Sequence, residues 1–126
     1  MVKIKKIKWS GKRRLMSFKY AFQGLQHLLK SQHNAWIHSL AAVIVTCFSF
    51  YFRISRTEWI FVIFAIGFVF AAELLNTALE RLTDIVSPEK QARAGQVKDL
   101  AAGAVLVAAI TALIIGLIIF IPKIFM

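Results

Sequence analysis

The sequence predicts an all-α integral membrane protein, with three transmembrane helices preceded by an amphipathic helix on the membrane surface. Three observations carry this. Apolar types make up 59% of the 126 residues and charged types 17%, against roughly 45–50% and about 25% in ordinary soluble domains. Three apolar runs each approach the roughly 17–25 residues that cross a ~30 Å hydrocarbon layer. The basic residues gather at the amino end, as Lys3, Lys5, Lys6, Lys8, Lys12, Arg13, Arg14, Lys19 and Lys30. Much of the net charge of +10 therefore belongs to one end. Because long apolar runs follow it, that end fits an anionic lipid surface better than nucleic acid. The length allows a single domain, residues 1–126.

The surface helix is expected over about 12–31. Leu15, Phe18, Phe22, Leu25 and Leu29 fall on one helical stripe, while Lys12, Lys19, Gln23, Gln26 and Lys30 face elsewhere. Gly24 lies mid-helix, where it costs roughly 1 kcal/mol against Ala, so something is expected to pack closely there. The spans are expected at about 35–52, 57–82 and 100–122. Between them lie a tight reversal, Arg53 to Arg56, and a longer polar loop, Asp84 to Asp99, holding Pro88, Lys90, Arg93, Gly95 and Lys98. Segments rich in Lys and Arg stay on the cytoplasmic side, so the amino terminus and the second loop are expected inside. The reversal, with two Arg, resists this weakly. The first apolar run is too late and too long for a cleavable signal sequence. Lone Cys47 cannot close an internal disulfide.

The six acidic residues are the most informative feature. Glu58 sits at the outer end of the second span; Glu73, Glu80, Asp84, Glu89 and Asp99 follow between that span's inner half and the start of the third. At 100° per residue, Asn76, Thr77, Glu80 and Asp84 project within about 60° of Glu73, so one narrow face gathers three carboxylates and an amide. An ionisable group at membrane depth costs about 2.5 kcal/mol or more, so this face is expected to meet protein or a wet cavity. Taking Trp59 as an outer interface marker, Glu73 lies ~21 Å further in, and Glu80 and Asp84 reach the headgroups of the inner leaflet.

Clustered carboxylates repel unless a cation intervenes, and Mg²⁺ takes one or two carboxylates together with phosphate oxygens. Lys98 beside Asp99 offers a positive group for phosphates. A deeper, unliganded carboxylate can take a proton from a lipid hydroxyl, the part that phosphoryl transfer to an alcohol requires. No P-loop or protein-kinase motif is present. Three readings stand on these residues alone: a structural ion network of the acids with Arg81, Arg93 and Lys98; an ion or proton relay; and membrane enzymology on lipid. The relay lacks a matching acid in the outer half. Only the third uses the loop, the surface helix and the acids together.

The run A-E-L-L-N-T-A-L-E-R-L-T-D from Ala72 to Asp84, then Lys98–Asp99 and A-A-G-A-V-L, resembles the bacterial integral-membrane diacylglycerol kinases, a family that includes undecaprenol kinases. Y-A-F-Q-G-L from Tyr20 to Leu25 and N-A-W-I-H from Asn34 to His38 extend the resemblance over nearly the whole chain. It implies a homotrimeric bundle in the bacterial inner (cytoplasmic) membrane, with active sites shared between subunits. The implied activity is transfer of the γ-phosphoryl of Mg-ATP to a membrane lipid, diacylglycerol or undecaprenol. By matching positions it makes Glu73 the catalytic base, with Asn76 its polar neighbour at the lipid substrate, and Glu80 a metal ligand. Arg13, Tyr20, Glu80, Glu89, Lys98 and Asp99 are implied to meet the nucleotide. One departure stands out: Gln32 occupies the position of a second metal-binding glutamate, so the site holds one carboxylate fewer. Trp36 likewise stands where similar sequences usually carry a basic residue; at that position it fits an interface anchor for the first span. His33 and His38 flank Gln32 but suit Mg²⁺ poorly. The alternative from another class is a catalytically impaired homologue acting as a membrane assembly or binding subunit.

Overall fold

The computed structural model describes residues 8–126 and contains four helices: α1 (Gly11–Ser31), α2 (His33–Tyr51), α3 (Arg56–Val86) and α4 (Ala92–Ile124). Lys3, Lys5 and Lys6 of the basic end lie outside the described residues. Helices α2, α3 and α4 are each long and apolar enough to cross a membrane.

Helix α1 ends where Gln32 turns extended, at φ −123° and ψ 118°, and α2 begins at the next residue. Gln32 thus serves as the cap of both helices, and its N–H still reaches the Leu28 carbonyl at 3.1 Å. The Trp36 indole N–H donates back to the Leu29 carbonyl at 2.6 Å, fastening the joint from the α2 side. On α1, Leu28 is the buried residue, whereas Leu15, Phe18 and Phe22 of the apolar stripe are exposed. The stripe therefore faces away from the bundle, as a lipid-facing surface requires. Within the chain itself nothing packs closely at Gly24, where a side chain would meet no atom within 4 Å.

The reversal after α2 is tight. Phe52 N–H bonds the Phe48 carbonyl and Ile54 N–H the Ser49 carbonyl, with Arg53 left-handed at φ 49°. Ser55 then opens α3 with a capping box: its hydroxyl accepts from Glu58 N–H at 3.1 Å, and its own N–H donates to Glu58 Oε1 at 3.0 Å. The other oxygen of Glu58 pairs with Lys123 Nζ at 3.0 Å, tying the end of α4 to the start of α3. Ser55→Ala removes one arm of this arrangement and is expected to destabilise the protein by about 1 kcal/mol. Unfolding in detergent measures this.

Helix α3 packs mainly along α4, with α2 against α3 as the lesser contact. Near the reversal, Ile54, Val62, Ile119 and Phe120 form an apolar core flanked by Val45, Phe52 and Trp59. Further along, three of the buried apolar positions are small: Ala65 on α3, Ala101 and Ala108 on α4. Small residues let helix backbones approach closely in a lipid, where packing rather than water release drives association.

Two boundaries differ from the sequence expectation for one reason. Helix α3 continues to Val86 rather than stopping near 82, and α4 starts at Ala92 rather than Leu100. The expected loop from Asp84 to Asp99 is thus mostly helix, and only 87–91 is irregular. Hydropathy measures the apolar length of a helix, whereas polar residues such as Arg81, Arg93, Gln96 and Lys98 propagate it equally well in water. At the other end α4 runs through Pro122 to Ile124.

Candidate functional site

The helical register of α3 sets the site. Glu73, Asn76 and Thr77 are its buried polar residues, at 1%, 8% and 6% exposure. Burial is achieved within one chain, so the acid face is covered without a second copy at this depth. Glu80 is half-buried and accepts from the Asn76 amide at 3.4 Å. Asp84, one turn further, is exposed. The face therefore grades from a dry carboxylate to a wet one along about three turns.

Two exposed cross-links join other helices to this face. Arg81 Nη2 donates to Ser31 Oγ at 2.9 Å, pinning the α1–α2 joint to α3. Gln32 and Glu80 are the sequence neighbours of that pair, so the joint brings the Gln32 position to the level of Glu80. On the other side Lys98 Nζ lies 2.6 Å from Asp84 Oδ1, setting α4 against α3. Lys98 is thus held by an acid of the same face, as the ion-network reading expects. Arg81 instead bonds a hydroxyl.

The remaining positions are scattered. Asp99 is exposed beside Lys98 on α4, and Glu89 is exposed in the short link, where its carbonyl accepts from Ser87 Oγ at 3.2 Å. Arg13 and Tyr20 are exposed on α1. They lie roughly 28 Å and 18 Å along that helix from Gln32, at 1.5 Å per residue. Among the described residues no group of three or more His, Cys, Asp or Glu side chains is placed to hold a metal. The described residues thus form no dedicated protein cage. Glu80 and Gln32 each offer an oxygen of the kind that Mg²⁺ takes, since the ion commonly binds one or two protein oxygens and completes its shell with phosphate and water.

Sequence reasoning missed His38 as a partner of the site. Its Nε2 lies 3.0 Å from Glu73 Oε1, although the geometry is not that of an aligned hydrogen bond and Oε1 has no other partner. Asn76 Oδ1 and Thr77 Oγ1 are likewise buried without a partner. For Thr77 this is distinctive, since Ser39, Thr46, Ser49, Thr83 and Thr111 all donate to the carbonyl four residues back. Three unsatisfied polar atoms on adjacent turns are costly unless a ligand or water meets them. His38 also lies at the edge of an apolar cavity of about 470 Å³ between α2, α3 and α4, whose walls include Val45, Val69, Ala109 and Leu113.

Residues 19–120 match the family described as prokaryotic diacylglycerol kinase. An undecaprenol kinase of Bacillus subtilis (strain 168) is 39% identical over 107 residues, covering 85% of this chain and 87% of its own length. A diacylglycerol kinase of Synechocystis sp. is 35% identical over 103 residues, covering 81% of this chain and 59% of that protein. A diacylglycerol kinase of Haemophilus influenzae is 30% identical over 92 residues, or 73% and 78% of the two chains. The match runs from the surface helix through the acid face to the far end of α4, and the chain belongs to the prokaryotic diacylglycerol kinase family.

Proposed function

We propose that the protein is a lipid kinase that transfers the γ-phosphoryl of Mg-ATP to the hydroxyl of a membrane lipid, diacylglycerol or undecaprenol. The observation that carries this is a fully buried carboxylate, Glu73, on the same face as the more accessible Glu80. One carboxylate is kept dry enough to meet a lipid hydroxyl, and the other wet enough to meet a nucleotide. The names of the relatives support the same reading and include both acceptors.

Glu73 takes the proton of the acceptor hydroxyl while that oxygen bonds the γ-phosphorus. The bond from phosphorus to the β,γ-bridging oxygen breaks, and its electron pair leaves on ADP. Asn76 contacts the acceptor beside Glu73. Mg²⁺ would be held by Glu80 and, weakly, by Gln32, and when bound it neutralises charge on the transferring phosphoryl group. Lys98, released from Asp84, and Asp99 meet the phosphates and ribose side of the nucleotide, with Glu89 at the link. Arg13 and Tyr20 complete the nucleotide site from a neighbouring copy in a homotrimer, since α1 carries them far from its own acid face. The amino terminus and the α3–α4 link face the cytoplasm of a bacterial inner membrane, where ATP is available.

Radiolabelled ATP supplied to purified protein in mixed micelles, with the two lipids side by side, tests the reading. Phosphorylated product with one acceptor is the expected result. Gln32→Glu is expected to lower the Mg²⁺ concentration needed for half-maximal turnover by about tenfold, because it restores a charged ligand. Gln32 also favours the second reading, an impaired homologue serving as a membrane assembly or binding subunit. Product from the Gln32→Glu variant alone, with none from the unaltered protein, would establish it.

A further inference from the structure

The Ser31–Arg81 hydrogen bond joins the end of α1, just before α2, to α3. Seven residues along α2 and eight along α3 from that pin, or about 10 Å and 12 Å, the two helices present His38 and Glu73 to one another. Nε2 and Oε1 are 3.0 Å apart, and the imidazole is 22% exposed against 1% for the carboxylate. The described residues offer Oε1 no aligned donor. The Asn76 amide is directed at Glu80, and the Thr77 hydroxyl is without a partner. A carboxylate turns easily about its last torsion, which is broad and roughly two-fold. A general base, by contrast, has to present one oxygen within about 2.6–3.2 Å of the proton it removes.

We propose that His38 is a positioning residue for Glu73: its Nε2–H holds Oε1, which leaves Oε2 as the oxygen presented to the acceptor hydroxyl. This rests on the lipid-kinase reading above and assigns that reading a residue outside the acid face. Hydrogen bonds of this kind are often misaligned in unliganded sites and tighten with substrate, which accounts for a short distance without ideal direction. Because His38 borders the apolar cavity as well as Glu73, it sits where hydrocarbon gives way to the reacting group.

The test compares His38→Gln, His38→Asn and His38→Leu in mixed micelles with each lipid. A Gln amide nitrogen reaches about as far as Nε2, whereas an Asn amide is one methylene short. His38→Gln is expected to keep kcat within about threefold of the unaltered protein; His38→Asn and His38→Leu are expected to lose about 10²-fold, the scale of a 1 Å misplacement. KM for ATP is expected to stay the same in all three, since the change is in the chemical step. The two amides differ only in length, so general damage from a polar group at this depth affects both alike. Equal kcat in the Gln and Asn variants, high or low, overturns the proposal, as does a loss carried by KM for ATP. An active unaltered protein with three fully active variants overturns the positioning role alone. Absence of phosphorylated lipid from the unaltered protein with either acceptor removes the lipid-kinase reading and this role with it.

Discussion

Glu73→Gln is expected to lower kcat by about 10²–10⁴-fold, the usual contribution of a general base, while ATP binding stays within about twofold. The amide has the shape of the carboxylate but accepts no proton at neutral pH. Glu73 is 1% exposed and touches His38 rather than any residue assigned to the nucleotide. The substitution also puts a neutral group in place of an ionisable one at a dry position, where an ionised group is costly. Stability in detergent is therefore expected to hold or rise while turnover collapses, a combination that separates loss of chemistry from loss of fold. Binding of a fluorescent ATP analogue, measured beside the radiolabel assay, checks both halves. Loss of nucleotide binding in this variant contradicts the assigned role.

Glu80→Gln is expected to reduce kcat/KM for Mg-ATP by about 10²-fold or more, because charge neutralisation by a bound metal is worth several kcal/mol. With Gln32 already neutral, the variant leaves the proposed metal position without a protein carboxylate. The Ser31–Arg81 bond links the residues next to Gln32 and Glu80. Moving the carboxylate across, in the double variant Gln32→Glu with Glu80→Gln, is expected to recover about tenfold of the loss. Titrating activity against Mg²⁺ measures this. Failure of the double variant to improve on Glu80→Gln alone sinks the pairing of these two positions.

Much of the fold was readable because a membrane imposes simple rules. Apolar length locates α2, α3 and α4, and the 100° helical step collects Glu73, Asn76, Glu80 and Asp84 on one face. Helix ends were not readable from the same signal, since Arg93 and Lys98 end the apolar run without ending α4. His38 was missed for a different reason. It lies 35 residues from Glu73, and their meeting depends on the register between two helices, which no local pattern contains. A cue was present: depth along α2 measured from the joint matches depth along α3 measured from Arg81. The pairing of Lys98 with Asp84 was anticipated only as part of a structural network. The lysine that the proposed mechanism assigns to the phosphates is paired with Asp84 in the structure.

Helices α3 and α4 have 31 and 33 residues, or about 46 Å and 50 Å of rod, against a hydrocarbon layer of ~30 Å. The aqueous headpiece is thus a stiff continuation of the transmembrane shafts, with no hinge between them. Such a rod cannot adjust its two phases independently, so hydrophobic mismatch shifts the whole acid ladder relative to the water boundary. A thicker host bilayer draws Glu80 and Asp84 toward oil, and a thinner one floods the surroundings of Glu73. Bilayer thickness thereby becomes a dial on the dryness of the Glu73 carboxylate.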